Sequence, residues 1–279
     1  MIDVLLATCR PDKARLDAQI SSILAQRGVS VNLVCREDDA LEGAAANFSA
    51  LLARSSAPYV ALSDQDDVWR PDKLSRLVAR IAEIESRRGA GTPVLAFCDS
   101  LVTDDCLKPL GGTFVSRQRI DTSKALALPR LLMQNFIAGN LMVFNAALRD
   151  KAGAVPPDAL MHDCWLALVA AAFGEISFVD EPLLSYRQHG GNVLGATSAD
   201  ARHFAGRAAE GGGAFRRRLA RCVAQAKAFR DRFGDETPEC VRALAAFTET
   251  GYFGRRAAMF RHGLFKQGFL RNAALLLFG

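Results

Sequence analysis

The sequence has little of what marks the more specialised classes of protein. Its seven cysteines are an odd number and include no Cys-x-x-Cys pair, which argues against a disulfide framework or a structural zinc. No apolar run is long: the longest, Trp165 to Phe173, is about half of what a bilayer span needs. No charged-then-apolar leader opens the chain, because Met1-Ile2-Asp3-Val4 runs directly into a strand-like segment. No internal repeat occurs, and the only low-complexity tract is Gly211-Gly212-Gly213. With 279 residues, 50% of them apolar and 23% charged, disorder, collagen-like repeats and coiled coil are excluded as the main architecture. What remains is one large α/β domain with room for an appendage, in a cytoplasmic protein.

The net charge of +5 is unevenly spread. Residues 1–201 hold 20 Lys and Arg against 24 Asp and Glu, whereas residues 202–279 hold 15 against 6. An acidic body with a basic tail suggests catalysis or binding in front and contact with an anionic surface behind. Over the acidic part, short apolar runs alternate with helical patterns. Strands are expected at Ile2–Ala7, Val31–Cys35, Tyr59–Leu62, Val94–Cys98, Leu141–Phe144 and Ile176–Val179. Helices are expected after Pro11-Asp12, over Ala44–Leu52, from Pro71 through Leu74, Leu77, Val78, Ile81 and Ile84, and from His162 to Phe173. This alternation predicts a mostly parallel sheet flanked by helices. After Gly190-Gly191 the strand signal ends, and residues 215–233 and about 239–271 read as amphipathic helices. The expected division is a catalytic domain over residues 1–200 and a basic helical extension over 201–279.

Ser63-Asp64-Gln65-Asp66-Asp67-Val68-Trp69 is the most informative stretch. An apolar strand delivers three carboxylates in four residues to its C-terminal end, where open α/β sheets bind ligands. In an extended segment Asp64 and Asp66 would share a side, and their repulsion is relieved by a hard divalent ion, Mg²⁺ or Mn²⁺. The bland reading is an acidic loop capping the next helix. Two enzyme classes place Asp-x-Asp at a strand end. One is the metal-dependent nucleotide-sugar glycosyltransferases. The other is the haloacid-dehalogenase-like phosphatases, in which the first Asp is a nucleophile, and Asp64 to Val68 fits their pattern too. That phosphatase motif usually sits on the first strand, and here two βα units precede it. A sugar nucleotidyltransferase would carry a Gly-rich loop after the first strand, and Ala7-Thr8-Cys9-Arg10-Pro11 lacks the glycines.

Further blocks join this one: Gln19 with Ser22-Ile23-Leu24-Ala25-Gln26, Ala46-Asn47-Phe48, Pro71-Asp72-Lys73-Leu74 and Asn135-Phe136-Ile137-Ala138-Gly139. Met161-His162-Asp163-Cys164-Trp165 and Tyr186-Arg187-Gln188-His189-Gly190-Gly191-Asn192 follow. In this order, over about residues 1–200, they resemble family 2 glycosyltransferases of the GT-A fold, most closely the rhamnosyltransferase-like members. The resemblance implies that Asp66 with Asp64 holds the divalent ion against the donor diphosphate, and that His189 completes its coordination. Asp163 matches the catalytic base of such inverting enzymes, at a helix start whose dipole favours the ionised form. His162 reads as structural support for it. Arg187 is a candidate for the diphosphate oxygens, Asp99 for the donor pocket, and Trp69, Trp165, Asn135 and Gly139 for the acceptor side, with core packing the bland reading of both tryptophans.

One departure stands out. Where the family carries Asp-Asp-Gly-Ser and a spacer, this chain has Arg36-Glu37-Asp38-Asp39-Ala40 and a shortened link to Gly43 and Asn47, leaving Asp38 as the candidate nucleoside contact. A non-catalytic nucleotide-sugar-binding homologue is the corresponding alternative. The implied activity is inverting transfer of a sugar, rhamnose foremost, from a dTDP- or UDP-linked donor to a polysaccharide precursor or lipid-linked oligosaccharide. In the tail, Phe253, Ala257, Phe260 and Leu264 share one helical face among Arg255, Arg256, Arg261, Lys266 and Arg271. That suits peripheral contact with the inner face of the plasma membrane, each basic residue near an anionic surface contributing about 1 kcal/mol. A helix packed on the domain is the alternative, and nucleic acid is not expected because no binding module accompanies the arginines.

Overall fold

A computed structural model describes residues 1–38, 42–188 and 211–278. The chain divides into two compact units. The first comprises residues 1–119, 137–155 and 161–197, and the second residues 120–136, 156–160 and 198–279.

The first unit is built on β1 (Ile2–Thr8), β2 (Val31–Glu37), β3 (Tyr59–Ser63), β4 (Val68–Trp69), β5 (Val94–Thr103), β6 (Pro109–Thr113), β7 (Met142–Asn145) and β8 (Glu175–Arg187). They form one sheet in the order β2-β1-β3-β7-β5-β8-β4, with β6 beside β5. β1 pairs in parallel with β2 and β3, and β5 with β8, but β7 runs antiparallel to both β3 and β5. The sheet is therefore mixed where a mostly parallel one is expected, because the chain reaches β7 through the short turns and helices of residues 114–141 rather than through a crossover helix.

Helices α1 (Lys13–Leu24), α2 (Ala44–Leu52), α3 (Lys73–Arg88), α4 (Phe114–Gln118), α7 (Ala146–Ala152) and α8 (His162–Phe173) belong to this unit, and α5 (Thr122–Ala125) and α6 (Leu128–Met133) to the second. Asp12 caps α1 by accepting the Arg15 N–H (3.0 Å). α3 is amphipathic at the expected positions: Leu74, Leu77, Ile81 and Ile84 are fully buried, each worth about 1.5–3 kcal/mol. Its first turn is capped from outside, since Gln26 Oε1 accepts the Leu74 N–H (2.9 Å) while its amide donates to Arg70 O (2.7 Å). That explains the glutamine closing the Ser22–Gln26 block. Gly174 makes the turn from α8 into β8: a Cβ there would lie 1.7 Å from the Pro93 carbonyl oxygen. β8 runs far past the expected Ile176–Val179, because β5 and β4 hold its continuation through Arg187.

The second unit contains α9 (Gly211–Phe233), α10 (Glu239–Ala245), α11 (Tyr252–His262) and α12 (Phe269–Phe278). It has no strand among the described residues. Its members are tied by Gln225 Oε1 accepting the Leu160 N–H (2.8 Å) and by Gln267, whose side chain accepts from Asp121 N and donates to Asp121 O (2.9 and 3.0 Å). Residues 120–136 and 156–160 thus join a basic tail that the sequence presents as a separate extension.

Candidate active site

β3 carries Val60, Ala61 and Leu62, all fully buried, to the edge where residues 64–67 turn into β4. β4 is held against β8 by pairing of Val68 with Ser185 and Trp69 with Leu184. In the turn the three aspartates part company. Asp64 and Asp66 keep partial exposure, whereas Asp67 is wholly buried. The Asp67 carboxylate accepts the Asn140 amide and the Arg187 backbone N–H (3.3 Å).

Beneath this turn lies Lys73, a lysine with no exposure at all. Its ammonium donates to Asn140 O (2.6 Å) and sits 3.3 Å from the centre of the Trp69 ring. Burial pushes the Lys73 pKa down to about 8, against the pull of the Asp67 and Asp64 carboxylates. Burial and the neighbouring charges of Asp67, Asp66 and Asp163 push Asp64 well up, with Lys73 opposing. Burial and Asp66 likewise raise Asp67. Four carboxylates therefore act on one another around the buried Lys73 ammonium.

Asp163 stands in the first turn of α8 and is 8% exposed. Burial raises its pKa to about 6, while hydrogen bonds from Cys164 and the backbone N–H of Gly139 pull the other way. A carboxyl of that pKa is ionised at neutral pH yet basic enough to accept a proton, which suits a general base. His162 beside it is buried, and burial pushes its pKa down to about 3, so the ring is neutral. It stacks 4.0 Å from the Phe48 ring. Gly139 is a glycine because of this ring: a Cβ there would lie 2.8 Å from His162 Nε2.

The structure thus brings Asp64, Asp66 and Asp163 together and adds Asp67, Lys73 and Asn140, to which the sequence reading gives no role. Other expected residues turn out differently. Trp69 is 3% exposed, and its indole N–H donates to the Gln19 side-chain oxygen (3.1 Å). Trp165 has no exposure and donates to Ala152 O (3.1 Å). Neither can offer a ring face to a sugar; both are core. Gly139 packs against His162 and makes no acceptor surface. Arg187 is 6% exposed, and its guanidinium donates to the carbonyls of Asp66 (2.9 Å) and Asp105, so it clamps the acidic turn where a diphosphate contact is expected. Asp99 caps the chain around α4 by accepting from Ser100 N and Val115 N (2.7 and 3.1 Å). Both Asp38 oxygens are occupied by the N–H groups of Glu42 and Gly43 (2.8 Å each), so Asp38 closes its own loop. Asn135 belongs to the second unit, and His189 lies outside the described residues.

Oxygen donors of this kind suit a hard divalent cation, which would offset the mutual repulsion that pushes the Asp64 pKa up. Among the described residues no group of three His, Cys, Asp or Glu side chains is arranged to hold a metal. Mg²⁺-type sites often use one or two carboxylates with substrate phosphates supplying the rest, which is the arrangement Asp64 and Asp66 can offer.

Residues 25–110 match the family model for glycosyl transferase family 2. Two mycobacterial relatives, Mb1547 of Mycobacterium bovis and Rv1520 of Mycobacterium tuberculosis, are each 26% identical over 163 residues. The match takes in 58% of this chain and 44% of theirs, so the chain spans under half of their length. Among solved structures, Staphylococcus aureus TarS 1–349 in complex with UDP-GlcNAc aligns over 95% of this chain and 92% of its own, with a TM-score of 0.53 at 12% identity. The mannosyltransferase PcManGT of Pyrobaculum calidifontis, in complex with GDP-Man and Mn²⁺, aligns over 99% of this chain and 78% of its own, with a TM-score of 0.50 at 16% identity. The acidic turn after the third strand therefore lies within the stretch that matches the glycosyl transferase family 2 model, in a chain whose fold is similar to those of TarS and PcManGT.

Proposed function

We propose that this chain is an inverting, metal-dependent glycosyltransferase that moves a sugar from a nucleoside diphosphate donor to an acceptor hydroxyl. The observation that carries the reading is the meeting of Asp64 and Asp66 with Asp163 at the end of β3 in one compact unit. Asp163, ionised above about pH 6, takes the acceptor proton as the hydroxyl oxygen attacks the anomeric carbon. The new C–O bond forms on the face opposite the departing diphosphate, which leaves with the bonding electron pair. Asp64 and Asp66 would hold Mg²⁺ or Mn²⁺, with His189 as the further candidate ligand, and the ion would supply positive charge against the leaving diphosphate. Asp67, Lys73 and Asn140 touch no substrate in this scheme; they fix the turn that carries the two outer carboxylates.

The structural relatives' complexes with UDP-GlcNAc and with GDP-Man and Mn²⁺ support a nucleotide-sugar donor and a divalent ion. A dTDP- or UDP-linked donor, with rhamnose the first sugar to try, and a polysaccharide precursor or lipid-linked oligosaccharide as acceptor follow the rhamnosyltransferase-like pattern of the motifs. The proposed organisation keeps catalysis in residues 1–200 and gives residues 201–279 a role at the cytoplasmic face of the membrane. The test is release of nucleoside diphosphate from a panel of nucleotide sugars with Mn²⁺, comparing the wild type with Asp66→Ala. Turnover that needs Mn²⁺ and is lost in the variant supports the reading; no turnover with any donor, or turnover indifferent to Asp66→Ala, removes it.

A further inference from the structure

The second unit breaks the usual rule for large apolar side chains. Eight are exposed among the described residues, and five of these, Tyr252, Phe253, Phe260, Phe269 and Leu277, fall in the last two helices. Phe253 and Phe269 are each 85% exposed. On α11 the sharing of work is clear: Met259, and Leu264 just beyond the helix, are fully buried, while Phe253, Ala257 and Phe260 form an outward stripe at i, i+4 and i+7. Helix packing thus uses one face of α11 and leaves an aromatic face in water.

α12 returns to the start of α11. The Arg256 guanidinium donates to Leu276 O (2.6 and 3.2 Å) and lies 3.5 Å from the Tyr252 ring centre, and the Tyr252 hydroxyl donates to the same carbonyl (3.3 Å). A cation on the last carbonyls of α12 is favourable to that helix and brings Tyr252 and Phe253 to the end that bears Leu277. The charged side chains that these two helices themselves carry are all cationic. No acidic residue follows Glu249, whereas Arg255, Arg256, Arg261, Lys266 and Arg271 do.

Charge decides what can cover such a surface. A second copy would set five cations against five, which repels. An anionic bilayer satisfies both features at once, with headgroup phosphates for the arginines and the acyl boundary for the rings. No described helix is long and apolar enough to cross a membrane, so the contact is one of lying on the surface. We infer that α11 and α12 dock the chain on an anionic lipid surface through Phe253, Phe260 and Phe269 with their flanking arginines. This deepens the proposed membrane-side acceptor and rests on that reading for its purpose, while its physics stands on the second unit alone.

The experiment uses the full chain with vesicles of phosphatidylcholine, alone or mixed with phosphatidylglycerol, read by co-sedimentation. The wild type should bind the mixed vesicles at least about tenfold more strongly than the neutral ones, and less as salt rises. The exposed-site variant Phe253→Ser/Phe269→Ser should lose about tenfold in vesicle binding with its melting temperature unchanged. Arg261→Gln isolates the charge and should weaken binding to mixed vesicles only. Absence of vesicle binding, equal binding to both compositions, or undiminished binding by the double variant overturns the inference. So does a dimer in sedimentation velocity that the double variant converts to monomer, since that assigns the face to a second copy. Donor binding, measured by calorimetry on the same samples, separates the two readings: lost vesicle binding with intact donor binding counts against this surface alone, and the converse against the transferase alone.

Discussion

The acidic turn after β3 and the last two helices invert opposite halves of the same rule. In the turn, charge is taken inside: Asp67 and Lys73 have no exposure, and Asp64 and Asp163 are crowded among other carboxylates. In α11 and α12, aromatic rings are left outside on cationic ground. Folding stability explains neither. Buried carboxylates that share one lysine are costly to ionise, and exposed phenylalanines forgo burial worth about 1.5–3 kcal/mol each. On the functions proposed above, each departure prepares the chain for something that arrives from outside, a diphosphate with its cation in the first case and a lipid surface in the second. The comparison also teaches how each will respond to mutation. Residues in the turn are coupled through space, whereas the rings act one by one.

The comparison is most sharply tested at Asp163. Asp163→Asn should reduce transfer by about 10²–10⁴ with donor affinity retained in calorimetry, because the proton acceptor is lost and the pocket is not. Retained transfer would remove Asp163 from the reaction. Lys73→Met comes next. It strips the internal cation from Asp67 and Asp64 and should destabilise the protein by about 3–5 kcal/mol in urea unfolding. Adding Asp67→Asn to it should restore a large part of that loss, since the charge left unpaired is then gone; strict additivity of the two changes would show that the groups are uncoupled.

A smaller effect is expected at Asp66. Mn²⁺ with a bound nucleotide sugar should raise the stability of the wild type, by about 2.7 kcal/mol at a hundred times the dissociation constant, and Asp66→Ala should abolish the Mn²⁺-dependent part in a thermal-shift assay. The pH profile is a further handle. As Asp163 must be ionised to accept a proton, kcat/KM should fall about tenfold per pH unit below about 6 and level off above it. The same raised pKa means that the folded protein holds this proton more tightly than the unfolded chain. The cost of ionising Asp163 in the folded protein therefore grows from about pH 4 and is complete above about pH 6, and Asp163→Asn should be more stable than the wild type at pH 7.5 by about 1–3 kcal/mol in the metal-free protein. The smallest effect belongs to the other region: Phe253→Ser should change stability by less than about 0.5 kcal/mol and leave transfer to a water-soluble acceptor unaltered.

Much of this was legible because it is local. α2 and α8 start and stop at the residues read from periodicity, and the strands β1 to β3 appear at their apolar runs. The carboxylates at the end of β3 follow from where a buried strand must end. β4 and β6 were invisible, since two-residue Val68–Trp69 and glycine-bearing Pro109–Thr113 are strands only by virtue of the partners that β8 and β5 supply. The burial of Lys73 has a related cause: a lysine beside a helix start is ordinarily solvated, and only the assembled sheet encloses it. The tryptophans show the converse. Their polar edge and flat face suit a sugar equally well in any sequence, and burial beside Gln19 and Ala152 is a matter of packing.

What the sequence by itself determined is the order of elements, the place of the acidic turn, the helix start that bears Asp163, and the cationic, aromatic character of the last helices. These depend on periodicity, capping and composition, which act between near neighbours. Tertiary structure alone decided that β7 runs antiparallel, that Asp67 faces inward to Asn140 and Lys73 while Asp64 and Asp66 remain at the edge, and that Phe253 and Phe260 face water while Met259 does not. Each of those outcomes depends on groups distant in the chain competing for one volume and one charge, and no local pattern encodes which of them will win.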